Sequence, residues 1–318
     1  MTSLRVAVTG GVGRLGVTVV DHLVAAGHDV VCVDRVRSAG VAARQITADL
    51  TDAGQVWSTL SAVRPQALVH LAAIAVPFSA PEHVILRTNV MMAHQALEAA
   101  VALGATRVLV ASSPTVLGYG APSGWTPTSL PLEETEPIRP WNAYALSKAT
   151  IESMVAMFLT QAGDRVRFGT FRPMYVISPE EWRGAPTQQG HTVAERLRSP
   201  ELAAVSLFNY VDARDCARFV ETWLEAASAT PNGQTFFVGA EDALCVDPVP
   251  RAVARHLPAL AVQAAGLGET QSLFSVTKAA RVLGWRPVHR WRTELDGARE
   301  LLEAAGRGVP GTTEGTAR

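Results

Sequence analysis

No apolar run in this sequence approaches the ~20 residues that a membrane-crossing helix requires, so no membrane partner is expected. Cysteine is scarce: Cys32, Cys216 and Cys245 are odd in number, far apart and set among apolar neighbours. Cysteines of that kind read as reduced core residues, not as a disulfide framework or a metal site. No His/Cys/Asp cluster has metal-ligand spacing, and no metal is expected. Basic clusters are missing as well, and the formal net charge is only −1. That balance argues against a nucleic-acid surface. There is no room for a signal peptide either, because MTSLRVAVTGG enters an apolar strand pattern at once. Cytoplasm is the expected compartment.

What is present is enough apolar material for a large core: 48% of the 318 residues are hydrophobic and 18% charged. Through the first half, short apolar runs alternate with helical spacing. Leu4–Thr9, Val30–Asp34, Ala67–Leu71, Arg107–Ala111 and Val166–Arg172 read as strands. Helices are predicted over 13–27, 82–103 and 143–163. Strands separated by helices imply βαβ units and a parallel sheet covered on both faces. Regularity is then lost. Residues 178–204 read as an elaborated loop with a short helix, Phe208–Asp212 and Thr235–Val238 as late strands, and 214–227 as a helix between them. Residues 248–303 read as largely helical, and the tail from Gly306 as disordered.

The first strand runs directly into Gly10-Gly11-Val12-Gly13-Arg14-Leu15-Gly16, which opens the first helix. At such a junction the glycines permit a tight turn, close approach of a pyrophosphate and close helix–sheet packing. The helix N-terminus adds free N–H groups and a partial positive charge. Asp34 ends the next strand, 18 residues past Gly16, near the spacing at which an acid accepts hydrogen bonds from the adenosine ribose. The expected fold is therefore α/β, a Rossmann-type doubly wound parallel sheet with a small, mostly helical C-terminal substrate lobe. Residues 1–175 would form the dinucleotide-binding domain, with 205–240 returning to it, and 176–204 and 241–303 the substrate lobe. The expected cofactor is NAD, since Asp34 would repel a 2′-phosphate. Arg35 and Arg37 follow it and Arg14 sits in the loop, which leaves NADP open.

The G-x-x-G-x-x-G spacing resembles the extended short-chain dehydrogenase/reductase group, the NAD-dependent epimerase/dehydratase family. Further stretches match in order: Ala48-Asp49-Leu50, His70-Leu71-Ala72-Ala73, Thr88-Asn89-Val90, Ala111-Ser112-Ser113 through Gly118, and Tyr144-Ala145-Leu146-Ser147-Lys148. Arg172-Pro173, Tyr210-Val211-Asp212-Ala213-Arg214-Asp215 and Leu283-Gly284-Trp285-Arg286-Pro287 match later landmarks, so the resemblance covers about residues 4–290. It implies a cofactor held by Gly10, Gly13, Arg14, Leu15, Gly16, Asp34 and Arg35 on the adenosine side, with Asp49 and Leu50 at the adenine. Leu71, Ala72, Ala73, Asn89, Ala111, Tyr144, Lys148, Pro173 and Tyr175 would lie along the rest. A homodimer is also implied, through the helices near 82–103 and 143–163, where Ile151, Met154, Val155, Phe158 and Leu159 supply an apolar stripe.

The resemblance makes Ser113, Tyr144 and Lys148 the catalytic set. A phenol of reference pKa about 10 is a poor base near neutrality, and an ammonium nearby is expected to lower it. Ser113 would hold the substrate oxygen, with Pro114 and Thr115 beside it. Sugar dehydratases of the family carry Asp-Glu where this chain has Pro114-Thr115, which speaks against ordinary dehydration. Tyr175 replaces an asparagine of the nucleotide-sugar epimerases, and Ser206-Leu207 stand where those enzymes tend to have an arginine. Losing both speaks against a UDP-sugar, with Arg183, Arg196 and Arg198 left as candidate substitutes for the diphosphate contact. The loop Ser178-Pro179-Glu180-Glu181-Trp182-Arg183 loosely resembles the carboxylate-binding loop of uronate dehydrogenases, making Arg183 a candidate anion clamp for a small-molecule substrate. Gln188, Gln189 and His191 read as loop decoration, with a place in the lining of the same pocket as the alternative. The leading expectation is an NAD(P)-dependent oxidoreductase acting on a sugar-like molecule. An epimerase or dehydratase working by transient oxidation, and a non-catalytic dinucleotide sensor, stay open beside it.

Overall fold

The computed structural model describes residues 3–304, so the tail expected to be disordered lies outside the described residues. The N-terminal half alternates β1 (Arg5–Thr9), α1 (Arg14–Ala25), β2 (Asp29–Asp34), β3 (Arg44–Thr47), α2 (Ala53–Val63), β4 (Ala67–His70), α3 (Glu82–Ala102) and β5 (Arg107–Ala111). It continues with α4 (Ala143–Ala162), β6 (Arg167–Pro173), β7 (Val176–Ile177), α5 (Pro179–Trp182), α6 (Val193–Arg198) and α7 (Glu201–Ala204). Then come β8 (Val211–Asp212), α8 (Ala213–Ala226), β9 (Gln234–Val238) and α9 (Val249–His256).

Seven strands form one parallel sheet in the order β3-β2-β1-β4-β5-β6-β9. A sheet buried on both faces asks for apolar residues at successive positions, each face served by alternate ones. In β1, Val6 and Val8 face one core with Val19, Val20 and Leu23 of α1 and Phe219, Val220 and Trp223 of α8. Ala7 faces the other, with Val56 and Leu60 of α2, Ala93 and Ala96 of α3, and Val155 and Phe158 of α4. Strand order reverses between β1 and β4, and the crevice outside their C-terminal ends is where such sheets bind ligands. Among the described residues, no helix is long and apolar enough to cross a membrane.

Three expectations change. The strand predicted over 208–212 shrinks to β8, because Leu207 and Phe208 adopt left-handed φ values of 52° and 55° that interrupt an extended chain. That short strand pairs with β7 in a separate two-stranded sheet, so the return to the main sheet is made by α8 and β9. The segment 248–303 is helical only in short pieces: α9 is followed by helices at Ala261–Ala264, Thr277–Leu283, Trp291–Glu294 and Ala298–Ala304. Lastly, Ile151, Val155 and Phe158 are spent on the subunit's own core, and the outward apolar residues of α3 and α4 are Met91, Leu146 and Met157.

The later sequence landmarks serve structure. Asp212 is fully buried and accepts from the Trp182 indole (2.6 Å) and from Arg214. Asp215, equally buried, receives the backbone N–H of Val288 and His289, while the Trp285 indole donates to its carbonyl. The motif thus fastens the C-terminal segment to the start of α8.

Candidate active site

The glycine turn is built where β1 and β4 end. Gly10 has a left-handed φ of +73°, and a Cβ there would stand 2.7 Å from the Ala72 backbone. Gly16 lies so close to the Gly10 carbonyl that any side chain would collide with it. Two bonds from the end of β2 fix the loop: Gly10 N–H donates to the Val33 carbonyl (2.9 Å), and Val12 N–H to the Asp34 carboxylate (3.1 Å). The first turn of α1 has no side-chain cap and no acidic residue, so its N–H groups are presented bare. Beside them a cavity of about 400 Å³ opens, lined by Val12, Gly13, Arg14, Val17 and Thr18 on one side and Glu180 and Pro186 on the other. A narrow backbone cradle with free donors suits a pyrophosphate, and this chain's turn therefore fits a dinucleotide. Gly16→Ala is expected to weaken NAD binding by tenfold or more, about 1.4 kcal/mol, because α1 must move off the turn; calorimetric titration checks it.

Not every residue assigned to the cofactor is free to serve it. Arg14 forms an ion pair with Glu181 of α5, a carboxylate only 1% exposed, across the mouth of the cavity. Asn89 is fully buried: its amide holds both backbone groups of Ile74 and donates to Ser147 Oγ. It shapes the loop after β4. Asp49 accepts from the Thr51 N–H and hydroxyl, which holds its carboxyl below the usual range. Arg35 lies near enough to act on it electrostatically. Leu50 is buried, Leu15 is half-buried against the core, and Leu71, Ala72 and Ala73 line the end of β4 half-exposed. Ala111 and Pro173 close β5 and β6 at the same edge of the sheet.

His70, at the end of β4, is 1% exposed and shares a 2.8 Å hydrogen bond with Thr9 Oγ1. Burial pushes its pKa down from 6.5 to about 3. The native ring stays neutral where the unfolded one protonates, so the unfolded state binds more protons between those values. Its contribution to stability is present above pH 6.5 and is lost as pH falls toward 3. Between pH 7 and 5, above the carboxylate range, thermal unfolding is expected to move to lower temperature, with a flatter slope in His70→Gln.

Asn142 starts α4 as its N-cap, accepting from Ala145 N–H at 2.9 Å, and Glu82 of α3 receives Ala143 N–H at 2.6 Å. Tyr144 thus lies in the first turn, where the helix dipole favours negative charge. Lys148 and Glu152 follow on the same face at successive i+4 positions. Lys148 is 2% exposed; its Nζ donates to the Ala111 carbonyl (2.8 Å) and stands 5.9 Å from the Tyr144 ring centre. Burial lowers its pKa to about 8, partly opposed by Glu152. For Tyr144 the expected lowering by lysine is not what dominates: burial raises the phenol to about 12, with Ser113 acting in the opposite direction.

Ser113 follows β5 and is 7% exposed, and buried Pro114 opens a single 3-10 turn over Pro114–Leu117 behind it. Thr115 donates to Ser113 Oγ twice, from its N–H (3.2 Å) and its hydroxyl (2.9 Å). With its acceptor sites occupied, Ser113 keeps its own proton to give to an oxygen beside Tyr144.

The structure adds one residue, Tyr119, and distinguishes two candidate arginines by their surroundings. Tyr119, 7% exposed, lies beside Tyr144, with its hydroxyl beside the Asn209 amide; burial raises its pKa, so it remains neutral. Its sequence signal is its place directly after Gly118, at the end of the stretch that begins Ala111-Ser112-Ser113. Arg183 is exposed, and its side chain makes no hydrogen bond or ion pair among the described residues. The buried cation is Arg196 of α6, stacked 4.0 Å over the ring of Tyr175. Gln189 and His191, expected to be decoration, both bond to it. The sequence offers it only beside Arg183 and Arg198 as a substitute for the missing arginine; the structure sets it on one buried helical face with Val193 and Leu197.

Residues 6–239 match the NAD dependent epimerase/dehydratase family. A 3-diazoavenalumate denitrifying reductase from Streptomyces sp. is 31% identical over 316 residues, 92% of this chain and 99% of that one. A UDP-glucose 4-epimerase of Mycolicibacterium smegmatis is also 31% identical, over 167 residues that make up 49% and 51% of the two chains. Among solved structures, a UDP-glucose 4-epimerase from Thermotoga maritima, crystallised with UDP-glucose, superposes with a TM-score of 0.69. That alignment covers 95% of this chain and 99% of the other at 20% identity, a likeness of fold.

Proposed function

Because the chain belongs to the NAD-dependent epimerase/dehydratase family, within the extended short-chain dehydrogenases/reductases, we propose that it oxidises or reduces a sugar-like small molecule at a hydroxyl or ketone carbon. The carrying observation is the convergence of Ser113, Tyr144 and Lys148 at the C-terminal edge of the sheet, beside the glycine turn. NAD, when bound, supplies the hydride acceptor or donor at that carbon. The turn from Gly10 to Gly16 would hold its phosphates and Asp34 its adenosine ribose, where a carboxylate disfavours the 2′-phosphate of NADP.

In the oxidation direction Ser113 donates a hydrogen bond to the substrate oxygen, with Thr115 holding the serine oxygen in place. Tyr144 accepts the hydroxyl proton as the carbon gives up hydride, and returns it in reduction. Lys148 contributes positive charge close to the phenol, and its bond to Ala111 fixes where that charge sits. Tyr119, neutral and beside Tyr144, helps keep water from the phenol.

Added NAD and substrate should give nicotinamide absorbance in proportion to product. Interconversion of isomers with no net absorbance change, by protein that purifies with NAD, would establish the epimerase reading instead. That second reading is supported by the relatives named as UDP-glucose 4-epimerases. We further propose a homodimer through the outer faces of α3 and α4, where Met91, Leu146 and Met157 are 40–43% exposed; sedimentation of a Leu146→Glu variant as a monomer tests it.

A further inference from the structure

Arg196 is fully buried, yet no carboxylate among the described residues pairs with it. Its guanidinium donates to three neutral groups: Gln189 Oε1 at 2.7 Å, His191 Nε2 at 2.9 Å and Ser206 Oγ at 3.2 Å. The Tyr175 ring stacks beneath it, and its phenol, which is neutral in this role, adds no compensating negative charge. Arg196 Nε and Tyr175 Oη are both buried, and the phenol lies close enough to the guanidinium to favour its charge. A buried, uncompensated cation is costly, far beyond what a ring face returns. Three partners that orient the group without neutralising it are the arrangement expected of a receptor for an anion.

The position relates this group to the chemistry. Asn209 Oδ1 accepts from Tyr175 N–H at 2.9 Å, and the same amide lies beside the Tyr119 phenol, which lies beside Tyr144. A chain of neighbouring side chains thus runs from Tyr144 through Tyr119, Asn209 and Tyr175 to Arg196. We propose that the substrate carries an oxyanion, a carboxylate or a phosphate monoester, and that Arg196 receives it while Tyr144 faces the reacting carbon. This names the substrate class of the redox reading above and rests on that reading only for the reacting end.

The test uses full-length protein saturated with NAD and follows thermal unfolding against acetate, inorganic phosphate and the neutral isostere acetamide, at constant chloride-matched ionic strength. Because phosphate stabilises folded proteins generally by exclusion, the quantity read is the difference between wild type and Arg196→Met. Wild type should show a saturable rise with acetate or phosphate and none with acetamide. Arg196→Met should lose that rise, keep its affinity for NAD, and melt no lower than wild type without anion, since an apolar isostere removes an unpaired charge. Arg196→Lys should keep part of the rise. A rise with phosphate alone assigns a phosphate monoester; a rise with acetate assigns a carboxylate. An equal response in Arg196→Met, no anion response in wild type, or joint loss of stability and NAD affinity in Arg196→Met would each overturn the proposal. No turnover is measured, and Tyr144→Phe should keep the anion response even if the redox reading fails.

Discussion

Tyr144→Phe is expected to lower turnover by ~10²–10⁴-fold, the range that general acid–base catalysis supplies, and to leave NAD affinity nearly unchanged. The hydroxyl is all that the substitution removes, and the ring's packing in a site 8% exposed is retained. The phenol stands high, at about 12, because burial disfavours its anion. Ser113, the helix N-terminus and the Lys148 charge act in the other direction, and any positive charge brought close by a bound cofactor adds to them. Oxidation needs the phenolate, so its rate should rise with pH up to the range where Lys148, near 8, loses its proton and its charge. Reduction needs the phenol and should show the opposite slope. Single-turnover rates in both directions, with NAD titration of the variant, decide the matter: undiminished turnover would remove Tyr144 from the mechanism.

Much of this site is legible from local pattern, because its parts are local. The glycine turn, the serine after β5 and the Tyr144–Lys148 spacing each lie within one strand–helix junction or one helix, and α3 and α4 end within a residue of their predicted bounds. What the sequence hides depends on approach in three dimensions. Arg183 attracted the anion-binding assignment because acidic residues precede it, but those residues serve other ends: Glu181 pairs with Arg14, and Arg183 is left in solvent. Arg196 stands out from Arg183 and Arg198 only when Gln189 and His191 from one turn and Ser206 from another converge on it. Asn89 reads as a ligand contact, and the sequence does not show that its amide also holds Ile74 and Ser147. The sign of the Tyr144 shift was hidden for the same reason, since spacing reveals a lysine neighbour but not how completely the phenol is desolvated.

Removing the charge of Glu152 should produce the largest loss of stability of any single change at this site. Glu152 takes two bonds from Arg172 (both 2.8 Å) and one from the Ser112 hydroxyl (2.6 Å), tying α4 to β6 and to the end of β5. The side chains are 3% and 10% exposed. Breaking such a pair from one side leaves an uncompensated buried cation, at a cost of about 3–5 kcal/mol. Glu152→Gln keeps the shape and loses the charge, so chemical denaturation should show most of that loss. Replacing both partners, as Glu152→Leu with Arg172→Met, should recover much of it, because the desolvated charges vanish together. If the single and double variants were equally destabilised, packing and not the charge would carry the effect. The same substitution reaches the chemistry through Lys148, one helical turn away, whose pKa Glu152 holds up against burial. Without it the ammonium should lose its proton at a lower pH, and the pH profile of turnover in Glu152→Gln should shift to the acid side of the wild-type profile. A structural tie between three elements thereby also sets the charge beside Tyr144, which a purely mechanical role for Glu152 would leave unmoved.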